Sequence, residues 1–353
     1  MKILAMDIGK FKTVACEFDV HSGTSQYETI KTTPLSIRQI IARQKPDRVV
    51  FEVGSAAGWV HDIVVSTGTE VQVANPNHEG WRWRNVKSKT DRKDAEKLAK
   101  LSAADQLPTA YTPSRQTRQR RSLIVYRQAA IARRTQIKNR IRSVLHREGL
   151  TMKVGHRGWT MESLTQLAQM ARPWEAAGAD GLWRAELHEE LKALKESKER
   201  IVRIEKKLDE LSQTDDRIRQ LQTIPGVGPR TAEALVAVID DPHRFRRANQ
   251  LGSYLGMVPR QFESGQMSRQ GRITKQGNGL LRTLLVEASW VALRYNPRLR
   301  SVYKRITARN KGRRKVAIVA VARRMLVIAW AMMRDGTEWD ASSSKAKFEA
   351  IAR

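Results

Sequence analysis

The sequence predicts an α/β domain followed by a helical remainder, and three observations support this division. Up to about residue 105, short apolar runs of strand length alternate with helix-length segments and turn residues. From residue 111 the apolar positions recur at helical spacing over stretches far longer than a strand. Beyond residue 223, turns rich in Pro and Gly separate further helices, which predicts a compact all-α C-terminal domain.

The elements of residues 1–110 follow a recognisable order. Three consecutive strands are predicted at KILAMDIG, TVACEFDV and YETIKTT, followed by a helix at PLSIRQIIARQ. RVVFEVG reads as a buried strand, AAGWVHDIVVSTG as a helix, EVQVANP as a strand, and the segment from Asp91 to Ala104 as a last helix. Three strands and then alternating helices and strands, with acids on the first and fourth strands, is the order of a ribonuclease H-like (resolvase-like) fold.

Residues 111–222 are predicted to form an arm of two long helices. The segment 111–150 carries eleven Lys or Arg against one acid, and its apolar positions from Leu123 to Leu145 form one face. The basic face predicts contact with nucleic acid, and a merely solvated charged face is the alternative. Residues 151–185 read as an irregular linker or insertion. The segment 186–222 has alternating charges and resembles a coiled-coil arm, pairing within the chain or with a second protomer.

Residues 223–340 are predicted to form the helical C-terminal domain, with helices near 278–294, 297–309 and 312–334 and a tail at 341–353. The apolar stretch from Val316 to Met333 is interrupted by Arg323 and Arg324, so we expect a packed helix and no membrane association. With no signal peptide pattern at the N-terminus, we expect a cytoplasmic, nucleoid-associated bacterial protein.

The charge balance of the chain indicates which class of partner it binds. Lys and Arg number 65 against 36 Asp and Glu, a formal net charge of +29. Nucleic acid is the expected partner, because cations that neutralise phosphates release counterions; a ribosome-like or membrane-surface basic protein is the alternative. The lone Cys16 excludes an internal disulfide and a cysteine-based zinc site.

Four acids carry the predicted chemistry. Asp7 and Glu52 end apolar strands, and Asp91 and Asp94 lie three residues apart on one helix. A carboxylate at the end of a buried strand is unfavourable unless its charge is offset. Oxygen ligands of this kind suit Mg²⁺ (or Mn²⁺), which retains open positions for phosphate. Ordinary helix capping by Asp91 and Asp94 is the simpler reading of that pair alone.

Two C-terminal segments add candidate nucleic-acid contacts. IPGVGPRTA matches a helix-hairpin-helix pattern, in which Gly226 and Gly228 expose backbone N–H groups beside Arg230; an ordinary Gly-rich turn is the alternative. In the segment 257–282, Ser264 lies in a predicted polar loop and is a candidate nucleophile, with Ser268 as its competitor. The surrounding candidates for phosphate contact are Arg260, Arg269, Arg272, Lys275, Asn278 and Arg282.

Taken together and in order, these motifs resemble one family. DIG, FEVGSAAGW, KTDRKDAEKLA, IPGVGPRTA, YLGMVPRQFESG and GRITKQGNGLLRTLLVEA are similar to the DEDD transposases of bacterial insertion sequences. These are related to Piv/MooV invertases and described as bridge-RNA-guided serine recombinases. The match leaves mainly 150–220 and the tail unassigned.

The resemblance implies a specific activity. Asp7, Glu52, Asp91 and Asp94 would bind the divalent metal, and Ser264 would form a covalent phosphoserine while DNA strands are cut and rejoined. It further implies that the serine of one protomer acts with the acids of another, within a homo-oligomer (dimer or tetramer). The implied partners are donor and target DNA and a non-coding guide RNA that pairs with both.

Two other functions remain open from the residues alone. A metal-dependent junction-resolving nuclease would use the same acids with water as nucleophile and would not need Ser264. A non-catalytic nucleic-acid-binding protein would use the acids in ion pairs and would tolerate Glu52→Gln. An actin-like ATPase, suggested by DIGKFKT, is disfavoured because its later nucleotide-binding segments are not evident.

Overall fold

The computed structural model describes residues 1–76, 90–265, 267–308 and 310–340. The chain divides into two compact units, Met1–Gln119 and Arg120–Arg353, called here the N-terminal and C-terminal units. The strands are β1 (Lys2–Ile8), β2 (Lys12–Asp19), β3 (Ser25–Lys31), β4 (Arg48–Glu52), β5 (Glu70–Ala74), β6 (Pro259–Ser264) and β7 (Met267–Ile273). The helices are α1 (Pro34–Gln44), α2 (Ala57–Ser66), α3 (Asp91–Ala103), α4 (Arg115–Arg147), α5 (Met161–Met170), α6 (Leu182–Gln213), α7 (Asp216–Gln222), α8 (Pro229–Ile239), α9 (Ala248–Tyr254), α10 (Gly279–Tyr295), α11 (Pro297–Thr307) and α12 (Arg314–Asp335).

The N-terminal unit is built on a mixed five-stranded sheet in the order β3-β2-β1-β4-β5. The first three strands are antiparallel neighbours, while β1, β4 and β5 run parallel. α1 and α2 pack on the face that carries Leu4 and Phe51, and α3 packs on the face that carries Ala5 and Val50. The predicted order of strands and helices is therefore confirmed.

The C-terminal unit contains α6 and the part of α4 from Arg120 onward, and these two long helices pack along each other. Towards the end of α4, Ile141 and Leu145 contact Leu187 and Leu194 of α6 in one apolar cluster. A second cluster joins Ala130 of α4 to the later residues of α6. The apolar spacing thus produces a contact between the two helices of one chain, which is one of the two pairings expected.

The helices from α7 onward enclose a second, larger core. α8 is buried almost throughout, and α12 packs against α10 and α11. α12 has the length and apolar composition of a membrane span, but most of it is buried in this unit. Its Trp330 donates a hydrogen bond from Nε1 to the carbonyl of Pro242 at 2.8 Å. The expectation of a packed helix agrees with this burial.

Three expectations about local structure are wrong. The segment 186–222 is not one helix, because it breaks between α6 and α7 at Thr214 and Asp215. The carboxylate of Asp215 there binds its near neighbour Arg217 at 2.9 Å and the sequence-distant Arg120 of α4 at 2.8 Å, so a tertiary ion pair stabilises the chain at the break. The insertion 151–185 contains α5, whose first turn is capped by the hydroxyl of Thr160.

The third correction concerns the C-terminal domain, which is not all-α. The segment predicted as a polar loop forms the antiparallel hairpin of β6 and β7, in which Ser264 pairs with Met267. Gly265 in the turn has a φ of 57°, a left-handed conformation that glycine adopts without steric cost. The predicted tail at 341–353 lies outside the described residues.

Candidate active site and nucleic-acid interface

Asp7 and Glu52 lie side by side at the carboxyl ends of two adjacent strands. Met6 of β1 pairs in parallel register with Phe51 of β4, and the two acids are the next residues along. Because side chains alternate across a strand, both acids belong to the face that carries Ala5 and Val50. Both residues are half-buried. The carboxylates therefore share one end and one face of the sheet.

α3, which carries Asp91 and Asp94 in its first turn, runs towards this end of the sheet. A guanidinium N–H of Arg48, the first residue of β4, donates to the carbonyl of Ser102 in the last turn of α3 at 3.2 Å. From there the helix runs back along the sheet, covering Ala5 and Val50. Eight helical residues from Ser102 to Asp94 rise about 12 Å. Four strand residues from Arg48 to Glu52 span about 13 Å, so Asp94 reaches the level of Glu52.

The chemistry of this donor set suits a divalent cation. Four carboxylates are hard oxygen ligands, and two of them stand on the first turn of a helix whose cap, Thr90, accepts a hydrogen bond from the N–H of Lys93 at 3.3 Å. Within the described ranges no three acidic, histidine or cysteine side chains lie close enough together to hold a metal ion. The four acids are therefore not gathered into a metal-binding cluster in this structure.

The turn between β1 and β2 adds groups that the sequence analysis did not single out. Phe11 is 75% exposed, and the ammonium of Lys10 lies 5.2 Å from the centre of its ring. The turn is fixed by Thr32, whose hydroxyl donates to the carbonyl of Gly9 at 3.0 Å. It follows directly after β1 and so stands at the same end of the sheet as Asp7. In the sequence, this turn could have been recognised as a candidate nucleic-acid contact from an aromatic residue, Phe11, between Lys10 and Lys12.

Ser264 stands at the tip of the β6–β7 hairpin and is exposed. Register places Phe262 opposite Arg269 on the same face of the ribbon, and the Phe262 ring lies over Gly271, where a Cβ would come within 2.9 Å of it. Phe262 is 55% exposed. Ser268 pairs with Glu263 on the opposite face. The hairpin thus presents Ser264 at a free tip next to an aromatic and cationic surface.

The predicted cations around Ser264 divide into two groups. Arg260, Arg269, Arg272 and Lys275 are exposed, and their side chains form no ion pair with any described residue. Arg282 instead donates to the carbonyls of Leu255 at 2.8 Å and Gln276 at 2.5 Å. Burial lowers the pKa of this Arg282 guanidinium.

Asn278 also makes a structural contact. Its side-chain oxygen accepts a hydrogen bond from the N–H of Leu281 at 2.9 Å and so caps α10. Arg282 and Asn278 therefore hold the loop before α10 in place. The four exposed cations are the ones whose charge is directed to solvent.

The IPGVGPRTA segment forms a tight turn between α7 and α8, which pack together. Gly226 has a φ of 94°, and a Cβ there would lie 2.5 Å from the carbonyl oxygen of Ala288 in α10. Gly228 precedes α8 and is exposed. The side chain of Arg230 pairs with Asp209 and, at 3.0 Å, with Glu233. Of these three predicted residues, Gly228 alone offers an exposed backbone at a helix start.

The positive charge of α4 is partly neutralised by α6. Arg127, Arg140 and Arg147 pair with the acids Glu205, Glu190 and Glu186 of the neighbouring helix. What remains includes Lys138, whose pKa is lowered first by burial and then by the nearby charges of Arg134, Lys198 and Arg142. Lys138 and Arg142 both lie over the ring of Trp159, at 4.8 Å and 5.1 Å. The basic surface is thus narrower than the sequence suggests.

Comparison with known proteins identifies the family. Residues 218–304 match the family described as the IS116/IS110/IS902 transposases, and residues 4–148 match the DEDD transposases of the IS110 type. The chain belongs to this transposase family. The two matched segments contain all four acids and Ser264, so the resemblance seen in the motifs is confirmed.

Individual relatives agree with this assignment. The chain is 28% identical over 337 residues to the transposase for insertion sequence element IS1111A of Coxiella burnetii, covering 94% of this chain and 90% of the relative. It is 28% identical over 326 residues to a probable family 20 transposase of Pseudomonas aeruginosa, covering 90% and 93%. A shorter match, 34% identical over 122 residues, joins it to the pilin gene-inverting protein of Moraxella lacunata and covers 34% of this chain and 38% of that protein.

One solved structure is also similar in part. It is RuvC of T. thermophilus in complex with a Holliday junction substrate, with 12% identity and a TM-score of 0.24, covering 31% of this chain and 99% of that chain. A likeness of this size carries no weight for fold or chemistry. As a transposase of bacterial insertion sequences, the chain acts on DNA and recombines it.

Proposed function

We propose that the protein cuts and rejoins DNA through a covalent phosphoserine at Ser264, with Asp7, Glu52, Asp91 and Asp94 holding Mg²⁺ or Mn²⁺ in a ribonuclease H-like domain. The observation that carries the proposal is that Asp7 and Glu52 lie side by side at one end and one face of the sheet, the face on which α3 with Asp91 and Asp94 packs. Acids at the end of buried strands, in a chain of net charge +29, indicate a function in chemistry on phosphate groups.

The serine step is a transesterification. Oγ of Ser264 attacks phosphorus, an O–P bond forms, and the bond to one sugar oxygen breaks. The hydroxyl proton leaves the serine, and the departing sugar oxygen takes up a proton. Rejoining is the reverse: a sugar hydroxyl attacks the phosphoserine and releases Ser264, so no ATP is required. The bound ion would supply positive charge for the phosphate oxygens.

The exposed cations near Ser264 would contact phosphate and do not bind the metal. Arg260 and Arg269 are exposed on the hairpin that carries Ser264, and both would stabilise the negative charge that grows on phosphorus. Contact with the DNA backbone by the exposed Gly228 at the start of α8 would fix position without reading sequence. Arg230, Asn278 and Arg282 would act by holding these segments in shape.

Two further parts of the proposal rest on the family resemblance. A non-coding RNA would pair with donor and target DNA and supply the choice of sequence, as base pairing does in other RNA-guided systems. The Ser264 of one protomer would act with the acids of another, in a dimer or tetramer on bacterial chromosomal DNA. Sequencing of RNA that copurifies with the protein tests the first part: a random sample of cellular RNA would contradict it.

A strand-exchange assay with paired serine variants tests the nucleophile. Ser264→Ala should abolish exchange, because no other group supplies the attacking oxygen, whereas Ser268→Ala on the opposite face of the hairpin should remain active. Loss of activity in Ser268→Ala alone would move the role to that residue. Activity in both variants would support the water-using junction nuclease, and full activity of Glu52→Gln would support a non-catalytic binding protein.

A further inference from the structure

The C-terminal unit contains a groove of about 1060 Å³ whose lining includes two of the predicted phosphate contacts, Arg272 and Lys275. Its walls are β7, α9, α11 and α12 with the turn that precedes α12. Aliphatic side chains form part of the lining, among them Val302, Ile306, Val316 and Val319. The remaining lining is strongly basic, and no Asp or Glu belongs to it among the residues described.

Six cations of the groove stand without acidic partners. They are Arg272, Lys275, Arg305, Arg313, Lys315 and Arg323, and none of them forms an ion pair with a described residue. This differs from α4, where Arg127, Arg140 and Arg147 are matched by acids of α6. Like charges held close together repel unless an anion joins them, so the groove is complementary to a polyanion.

The packing of α9 makes room for one of these cations. A Cβ on Gly252 of α9 would lie 2.9 Å from Nε of Arg323, so a larger residue there would displace the guanidinium. The absence of a side chain at Gly252 thus lets α12 present Arg323 to the groove.

The aliphatic lining narrows the class of polyanion. A duplex keeps its bases stacked inside and offers mainly phosphate to a protein surface. An unpaired strand exposes base faces that pack on apolar side chains while its phosphates meet the cations. A groove lined both by aliphatic residues such as Val302, Ile306 and Val319 and by unpaired cations fits the second arrangement.

One strand, β7, joins the groove to the hairpin tip that carries the proposed nucleophile. β7 starts at Met267, which pairs with Ser264, and its later residues Gln270, Arg272 and Ile273 line the groove. From Met267 to Arg272 the strand extends about 17 Å. A strand lying in the groove would therefore lead along β7 towards the hairpin tip.

We infer that this groove binds single-stranded DNA and guides it to Ser264. The inference rests on the proposed function only for the destination, since the binding itself follows from the charge and apolar lining. Binding is therefore measured apart from chemistry, with fluorescein-labelled oligothymidine, its duplex with oligoadenosine, and oligouridine as the RNA counterpart.

The test variant is the double substitution Arg305→Ala/Lys315→Ala, two exposed side chains whose removal leaves the core intact. Single-stranded DNA should bind more weakly, and the slope of log affinity against log salt should fall by about 1.4, because two phosphate contacts are lost. Duplex binding should change little. Val316→Glu, at a lining position that is 56% exposed, should weaken single-strand binding by placing a carboxylate in the groove.

The matched control is Lys192→Ala/Lys195→Ala, which removes the same charge from exposed positions of α6 outside the groove. Equal losses in the control and the groove variant would overturn the inference, since general attraction would then explain both. Unchanged affinity of the groove variant for single-stranded DNA would also overturn it, as would a loss of affinity confined to oligouridine. The same holds if the variant changes its sedimentation, and hence its oligomeric state, without losing affinity for single-stranded DNA. Ser264→Ala should bind like the wild type; if it also retains strand exchange, the nucleophile assignment fails while the groove stands.

Discussion

At the scale of single residues, the register between β1 and β4 decides which acids become neighbours. Neither Asp7 nor Glu52 is informative alone, but the pairing of Met6 with Phe51 makes them neighbours. Their position was predictable from the sequence, because an acid at the end of an apolar run marks the carboxyl end of a strand. The distance between the strand acids and α3 was not predictable, since it depends on how the helix is anchored at Arg48.

Asp91→Asn should abolish metal-dependent DNA cleavage while DNA binding and thermal stability remain near wild type. The substitution removes one carboxylate charge at the exposed start of α3 and leaves the helix cap Thr90 in place. Asp105→Asn is the matched control: it lies just after the other end of α3, where its φ of 52° is tolerated by Asn. Cleavage assays of both variants check this, and full activity of Asp91→Asn would remove that residue from the metal site.

Asp215 gives a pH-dependent prediction. Burial raises the pKa of its carboxyl, but hydrogen bonds from Arg217 and Arg120 outweigh burial, and the net pKa lies below the ordinary value. A lowered pKa means that the ionised form stabilises the fold above about pH 4, the unfolded value. This stabilisation is lost as the pH falls through the native pKa.

Asp215→Asn should therefore lower the free energy of unfolding at pH 7, and its difference from the wild type should shrink on acidification below about pH 4. Urea unfolding of both proteins at a series of pH values measures this difference. A difference that stays constant down to the acid limit would show that the ion pairs with Arg120 and Arg217 do not carry the effect.

At the scale of elements, the hairpin shows why a polar segment escaped prediction. Every described residue of β6 from Arg260 to Ser264 is exposed, so the alternation of apolar and polar residues that marks a half-buried strand is missing. The helices and the central strands of the N-terminal unit were predictable because each buries one regular face. The break at Asp215 was not, because a partner distant in sequence, Arg120, stabilises it.

The hairpin turn should matter for activity more than for stability. Gly265 has a left-handed φ and open space around its Cβ position, so Gly265→Val introduces backbone strain of about 1 kcal/mol or more without a steric clash. Strand exchange should fall because the tip that presents Ser264 is distorted. Gly265→Asn should retain more activity, since Asn tolerates this conformation. Equal activity of the two variants would show that the tip geometry is unimportant.

The carboxyl end of α8 depends on arginines from other segments. Arg121 donates to the carbonyls of Ala237 at 2.6 Å and Val238 at 3.0 Å. Arg244 and Arg217 donate to the next two carbonyls, those of Ile239 and Asp240. Arg121→Met should lower the free energy of unfolding by about 2 kcal/mol, because charged hydrogen bonds to the helix end are lost. Chemical denaturation measures this. Loss of the same size in an exposed control, Lys195→Met, would argue against a specific cap.

At the scale of the whole molecule, the acids and Ser264 belong to different compact units. The proposed action between protomers predicts complementation. Ser264→Ala and Asp91→Asn should each be inactive alone, and a mixture should recover part of the strand exchange, because one protomer then supplies the acids and the other the serine. A mixture as inactive as its components, in protein shown to exchange subunits, would indicate that both groups act within one chain.

The basic groove marks the limit of what the sequence alone reveals. Arg272, Arg305 and Arg323 are separated by 33 and 18 residues and show no shared motif; the packing of α11 and α12 brings them to one cavity. The family, by contrast, was predictable, because its motifs follow in order along the chain. Charge excess predicts a nucleic-acid partner, while the position of that partner follows from the fold.

The most direct test of the central claim is to find the covalent bond. The protein with its copurifying RNA is incubated with Mg²⁺ and labelled DNA, denatured, digested with nuclease, and analysed by peptide mass spectrometry. The phosphoserine mechanism predicts a peptide with a nucleotide attached to Ser264 in the wild type, and no such peptide in Ser264→Ala. Cleaved DNA without any attached nucleotide would contradict it and would assign the chemistry to a water molecule.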